Sequence, residues 1–361
     1  MIKMHRIPLL PFALAILVAA AALWALAQQT PRLTTPDEIA RVEVLRRSLP
    51  GVVLVQGIAQ DPTTGNEGPI TGSGFFYSPS RIVTNYHVVS GLRDLRVTLN
   101  DGREFPAEIV ALDRGIDVAI LGVRGVVAPT TLAWGSSQNL PPGMSILVIG
   151  SPFGQRNLAS TGMLAGIAPL SAASDNPEIG QEIGDVLYID SRTEQGNSGG
   201  PVLDLQGRVI GLMDAVLAGA SGIGGYGVAI PADLVRQSIQ DLERFGVPQR
   251  GWLGASLVDL GDLDPLLLRG VGLVSSQGTM IDKIERGSPA DNAGLRAAQR
   301  DARGRLVNLG DVILAINGKT IKNKAEVTQT IARFRPGDRV KLIIWREGRK
   351  IEITLTMIAR R

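Results

Sequence analysis

Gly196-Asn197-Ser198-Gly199-Gly200-Pro201 sets one serine in a turn with glycine on both sides. A serine hydroxyl is a poor nucleophile unless a base lies within hydrogen-bond reach and donors await the developing oxyanion. Glycines permit a sharp turn, and such a turn aims the N–H groups of Gly196 and Ser198 at one point. The chain holds two histidines. His5 lies in a short basic N-terminus, so the base is His87, in Thr84-Asn85-Tyr86-His87-Val88-Val89. The third partner is a carboxylate that fixes the imidazole tautomer. Asp117 meets that need: it abuts the apolar run Val118-Ala119-Ile120-Leu121, where a charge is costly without a partner. Asp113, four residues earlier, reads as a solvated loop residue.

The order of these residues decides the fold. Gly196-x-Ser198-x-Gly200 also fits the nucleophile elbow of an α/β-hydrolase, but that fold places its histidine after the serine, and none follows Ser198. His87, Asp117, Ser198 is the chain order of a chymotrypsin-like double β-barrel. The surrounding sequence agrees, with short strand-like runs separated by turn signals at Val52–Ile58, Gly74–Tyr77, Arg81–Thr84, Leu95–Leu99, Ala107–Leu112, Val118–Val123, Ser145–Gly150, Leu158–Ile167, Val186–Ile189, Pro201–Asp204, Arg208–Met213 and Tyr226–Ile230. A helix over Ala232–Phe245 closes this region, which we take as residues 50–246.

A smaller α+β module spans 251–361. It opens with a strand over Trp252–Val258 and another over Met280–Glu285. A short helix starts at Pro289 and stops at Gly294. Hairpins turn at Asn317-Gly318 and Glu347-Gly348, around a helix over Ala325–Phe334. Ala297–Asn308 reads as a solvated loop. Residues 28–49 form a polar linker and a short helix with Ile39, Val42, Leu45 and Leu49 on one face. Lys3 and Arg6 precede an apolar run from Ile7 to Ala27, so residues 1–27 are a signal peptide or a membrane anchor. Ala25-Leu26-Ala27 suits cleavage, and the length suits a span. Both readings send the body of the protein out of the cytoplasm.

Composition removes other classes. The 361 residues contain no cysteine, which excludes thiol catalysis, disulfides and thiolate metal sites. One body histidine and no HExxH leave no expected metal site, and Gly318-Lys319-Thr320 lacks the leading glycine of a phosphate loop, so no cofactor is expected. A net charge of +3 does not argue for nucleic acid. Residues 251–361 hold 19 Lys+Arg against 12 Asp+Glu, a basic balance that reads as a solvated face.

Taken together these stretches resemble the HtrA (Deg) family of serine proteases. The resemblance rests on Gly72-Ser73-Gly74-Phe75-Phe76, the His87, Asp117 and Ser198 segments, Gly150-Ser151-Pro152-Phe153-Gly154 and Gly227-Val228-Ala229-Ile230-Pro231. Ser288 to Leu295 and Gly310 to Gly318 are similar to the PDZ domains of that family. It implies a trypsin-like domain and one PDZ domain, a homotrimer, and ATP-independent cleavage of unfolded or mislocalised polypeptides. It also implies that Trp252-Leu253-Gly254-Ala255 captures peptide C-termini, against the plainer reading that Trp252 and Leu253 only pack the core. Arg192-Thr193-Glu194-Gln195 departs from the family pattern, and Tyr86 stands where Asn is usual. Arg192 and Thr193 are expected at the substrate pocket, Arg192 favouring an acidic or polar side chain or pointing to solvent. The rival function is a chaperone or PDZ scaffold that holds peptides without cutting them.

Overall fold

The computed structural model describes residues 33, 35–60, 65–170, 182–214, 225–273 and 277–359. The apolar run at 7–27 lies outside them. Among the described residues no helix is long and apolar enough to cross a membrane. The chain divides into Met1–Glu43 and Val44–Arg361. Helix α1 (Pro36–Ser48) has Asp37 and Glu38 in its first turn and Arg46 and Arg47 in its last, matching the helix dipole. Its expected apolar face forms only in part. Ile39 and Val42 are exposed, while Val44 and Ser48, one turn apart, are buried.

Twelve strands close into two antiparallel barrels. The first uses β1 (Val52–Gln60), β2 (Glu67–Ser78), β3 (Arg81–Thr84), β4 (Arg93–Thr98), β5 (Glu104–Asp113) and β6 (Val118–Val123), in the order β1-β2-β3-β6-β5-β4. A single helical turn, α2 (Tyr86–Val89), follows β3. The second uses β7 (Ser145–Gly150), β8 (Leu158–Pro169), β9 (Asp185–Asp190), β10 (Pro201–Leu203), β11 (Val209–Met213) and β12 (Gly227–Pro231), in the order β10-β11-β12-β9-β8-β7.

Several strands are buried on both faces, which explains their unbroken apolar runs. Along β6, Ala119, Leu121 and Val123 fill the first barrel, while Val118 and Ile120 join a core shared with the second barrel. Along β7, Ile146 and Val148 fill the second barrel, while Leu147 and Ile149 join the same shared core. This middle layer fixes one barrel against the other. Helix α3 (Ala232–Phe245) adds Val235, Ile239 and Leu242 to it and ends where the Gly246 N–H bonds the Leu242 carbonyl.

The C-terminal module has a sheet of β14 (Ala255–Asp259), β15 (Thr279–Ile284), β18 (Val312–Ile316), β20 (Arg339–Arg346) and β21 (Arg349–Thr356), with β14 at one edge. The short strand β19 (Lys319–Thr320) pairs with β18, and β13 (Gly251–Trp252) pairs with β22 (Ile358–Ala359). Three helices flank them: α4 (Pro265–Gly270), α5 (Pro289–Asn292) and α6 (Lys324–Ala332). Asn323 caps α6 by accepting the Glu326 N–H at 2.9 Å, and Glu326 accepts the Lys322 N–H in return. Two expectations change here. The strand expected over Trp252–Val258 is broken at Leu253-Gly254. The segment expected as a loop at Ala297–Asn308 carries a small hairpin, β16 (Gln299–Arg300) with β17 (Leu306–Asn308), because Asp301 accepts the backbone N–H groups of Arg303 and Arg305 and ties the turn.

Asp113 also differs from its solvated expectation. It is 1% exposed and receives both arms of the Arg250 guanidinium, with Nη1 at 2.6 Å from Oδ2. Ser238 Oγ on α3 bonds the same carboxyl, and Arg250 Nε donates to Glu182 at 2.5 Å. Arg250 immediately precedes β13, so this cluster ties the start of the C-terminal module to the first barrel. Removing one partner of a buried pair strands the other. We expect Arg250→Met to lower stability by about 3–5 kcal/mol in urea denaturation, and Arg250→Met with Asp113→Asn to lower it less. A single variant as stable as the wild type would contradict this.

Candidate active site

The functional side chains come from the ends of strands that meet at the seam between the barrels. His87 sits in the middle of α2, just after β3. Asp117 follows a single 3-10 turn (Arg114–Ile116) and precedes β6. It adopts the left-handed conformation, φ 57°, ψ 48°, uncommon for a residue with a side chain. The turn brings its carboxyl back under α2. Oδ1 accepts the His87 backbone N–H at 2.9 Å and Oδ2 lies 2.5 Å from His87 Nδ1. The Asp117 carbonyl accepts from Asn85 Nδ2 at 3.0 Å and from the Tyr86 N–H at 3.2 Å. Next to this, the Arg114 guanidinium stacks over the Tyr86 ring at 5.2 Å. Asp117 is 0% exposed.

Ser198 lies between β9 and β10 of the second barrel. Gly196 (φ 99°) and Gly199 (φ 84°) both take left-handed angles, so the expected sharp turn forms on each side of the serine. Ser73 fastens this turn to the first barrel. Its hydroxyl donates to the Gly196 carbonyl at 2.6 Å and accepts the Ser151 N–H at 2.8 Å, and its own N–H donates to the Ser198 carbonyl at 2.8 Å. The Gln195 carbonyl accepts the Phe153 N–H at 3.1 Å. A trans peptide then turns the Gly196 N–H the opposite way. His87, Gly196 and Ser198 line one cleft of about 580 Å³.

Arg192 and Thr193 line the same cleft, as do Gly225 and Tyr226. The Arg192 side chain is 85% exposed and pairs with Glu194 at 3.4 Å, so a counter-ion already meets its charge. Thr193 Oγ1 donates to the Ser191 carbonyl at 3.2 Å.

One residue escaped the sequence reading. Asp214 directly follows β11 and is fully buried. Met213 exchanges backbone bonds with Gly199 and Gly200, and the Asp214 N–H donates to Val228 O at 2.9 Å, so the chain delivers Asp214 beside the serine turn. Its carboxyl lies beside that of Asp117: one carboxyl oxygen of each and a ring nitrogen of His87 all lie within 4.8 Å of one another. The available signal was the one that flagged Asp117, a carboxyl abutting an apolar strand. Burial pushes Asp117 up to about 7, against the opposing pull of the nearby Asp214 side chain and of the His87 and Tyr86 N–H groups. Burial also holds His87 below its ordinary value, and Asp214 opposes this when it is ionised.

A second groove, of about 570 Å³, runs between β14 and α6. Trp252, Leu253, Gly254 and Ala255 line one end, with Leu257, Val327 and Ile331 along it. Leu253 is also part of the module's core. The Leu253 carbonyl accepts the Ala290 N–H at 3.0 Å and the Gly254 carbonyl accepts the Glu285 N–H at 2.9 Å. Trans geometry therefore directs the Gly254 and Ala255 N–H groups away from those partners. Leu112 to Gly115 and Glu182 of the barrels also line it.

Comparison with known proteins matches this arrangement. A trypsin-like peptidase domain model matches residues 72–212 and a PDZ domain model matches residues 251–357. Protease Do-like 1, chloroplastic, of Arabidopsis thaliana is 34% identical over 338 residues, covering 91% of this chain and 74% of its own. The probable periplasmic serine endoprotease DegP-like of Chlamydia pneumoniae is 34% identical over 289 residues, covering 80% of this chain and 55% of its own. The chain thus spans about half the length of that DegP-like relative. The solved HtrA-type protease AlgW with decapeptide aligns at a TM-score of 0.66 and 26% identity, over 89% of this chain and 98% of that one. The two closed barrels, the cleft at their seam and a relative of this identity aligned along almost the whole chain lead to one conclusion: the chain belongs to the Do-like (HtrA) family of trypsin-like serine proteases that carry a PDZ domain.

Proposed function

We propose that the chain is an ATP-independent serine endopeptidase that cuts unfolded or mislocalised polypeptides outside the cytoplasm, with Ser198 as nucleophile, His87 as base and Asp117 as the acid that orients it. One observation carries this reading: an imidazole bound through Nδ1 to a buried carboxyl faces the same cleft as Ser198. In this mechanism His87 Nε2 takes the Ser198 proton as Oγ attacks the scissile carbonyl, then returns it to the leaving amine. Water hydrolyses the acyl-enzyme by the same route. The Gly196 and Ser198 N–H groups receive the oxyanion. Arg192 and Thr193 shape the pocket beside the scissile bond. Because Glu194 offsets the Arg192 charge, a strong preference for acidic side chains is not expected.

The groove of the PDZ domain takes a peptide C-terminus. The Gly254 and Ala255 N–H groups meet its carboxylate, and the peptide adds a strand along the edge of β14. Periplasmic relatives and the basic, then apolar, start of the chain support a location outside the cytoplasm, with residues 1–27 either removed or kept as an anchor. The family resemblance extends the reading to a homotrimer.

A fluorophosphonate probe should label wild type at Ser198, and Ser198→Ala should show neither labelling nor casein cleavage while keeping the wild-type circular dichroism spectrum. Intact protein that takes no label under any condition would instead favour the peptide-holding scaffold. Gly254→Ala tests the groove separately. Gly254 has φ 72° and a Cβ there would overlap Ser288. Binding of fluorescent peptides with free C-termini, measured by anisotropy, should weaken at least about tenfold, the scale of one well-made charged hydrogen bond, while Ser198 labelling persists. Unchanged affinity would refute this site.

A further inference from the structure

Asp214 has no part in the mechanism above, yet it lies against it. Two fully buried carboxyl groups, one from each barrel, lie within 4.8 Å of each other and of a His87 ring nitrogen. Two carboxylates have no donor to offer each other, and like charges this close in a buried site repel. A single proton shared between them removes that repulsion.

We propose that Asp214 is a positioning residue for the Asp117–His87 pair, sharing one proton with Asp117 so that Asp117 is held as the hydrogen-bond acceptor of His87. The inference rests on the catalytic roles given to His87, Asp117 and Ser198. In the competent state the proton resides on Asp214, which donates to Asp117. Asp117 then accepts from the His87 backbone N–H at Oδ1 and from Nδ1 at Oδ2. Three donors converge on one carboxylate from two barrels. The Asp117 side is set by the turn before β6, and the Asp214 side by the Val228 carbonyl on β12.

A shared proton gives the site two ways to fail with pH. Adding a second proton to the pair removes the acceptor that orients His87. Burial raises the Asp117 carboxyl to about 7, so this loss begins near neutrality as pH falls. Removing the shared proton leaves two adjacent anions. They repel each other, and together they hold a proton on His87, which can then no longer act as base. Among the described residues, few groups bear on the pair. His87 faces it from α2. Asp113, at the end of β5, adds a negative charge that raises Asp117, but Arg250 bonds that carboxylate directly. Val228 and Met213, the neighbours from β12 and β11, bring no charge.

The test is the pH profile of Ser198 labelling by a fluorophosphonate, from about pH 5 to about pH 10, in wild type, Asp214→Asn and Asp214→Leu. The probe is uncharged at the reacting centre, so the profile reports the enzyme. Asparagine keeps a donor toward Asp117 but cannot lose it. We expect wild type to give a bell-shaped profile, and Asp214→Asn to keep labelling near neutral pH within about threefold while losing the alkaline descent. Asp214→Leu removes the donor and should slow labelling at least about tenfold at every pH. Thermal unfolding of each variant establishes that it is folded, and the Asn variant carries the test where Leu does not fold. An alkaline limb identical in wild type and Asp214→Asn, or no alkaline limb in wild type, would overturn the shared proton. Absence of any labelling at Ser198 in wild type would instead overturn the protease reading itself.

Discussion

The buried carboxyl of Asp117 is the contact on which the site depends. An ionised carboxylate with no access to water is costly unless donors surround it. Here the compensation comes from the same groups that must be positioned: the His87 backbone N–H and His87 Nδ1. The left-handed backbone at Asp117 exists to make that approach, because an extended residue would continue β6 and carry the carboxyl away from α2. In the proposed mechanism, energetic need and catalytic need are met by one geometry.

That geometry holds only if the barrels keep their register. The serine turn belongs to the second barrel and the imidazole to the first. Period-two alternation in β6 and β7 feeds three apolar layers, the middle one shared by both barrels. A close-packed layer of this kind resists sliding, since any shift opens voids. Ser73 adds a polar pin at the same seam, with three hydrogen bonds to the segments that carry Gly196, Ser198 and Ser151. The Asp117–Asp214 contact crosses it as well.

Much of this was legible in the sequence because it is local. The glycines around Ser198, the charge abutting the run at Val118 and the apolar alternation of the strands all depend on near neighbours, and most strand bounds follow them to within a few residues. What escaped was set at long range. Asp113 reads as solvated because its partner Arg250 lies 137 residues away. Asp214 resembles a strand end, and only closure of the second barrel brings it to Asp117. At the break, Leu253 bonds Ala290 on α5 and the left-handed Gly254 packs against Ser288, and the hairpin at Gln299–Asn308 follows from capping by Asp301. Exposed Ile39 and Val42 show the reverse limit: amphipathic spacing states which face is apolar, not what covers it.

The most direct measurement is a crystal structure of the protein with a peptide boronate bound to Ser198. The adduct on Oγ should be tetrahedral, with one boronate oxygen within about 3 Å of the Gly196 and Ser198 nitrogens, the other facing His87 Nε2, and Nδ1 still on Asp117. An adduct whose oxygen points away from both N–H groups, or a His87 ring turned off Asp117, would contradict this.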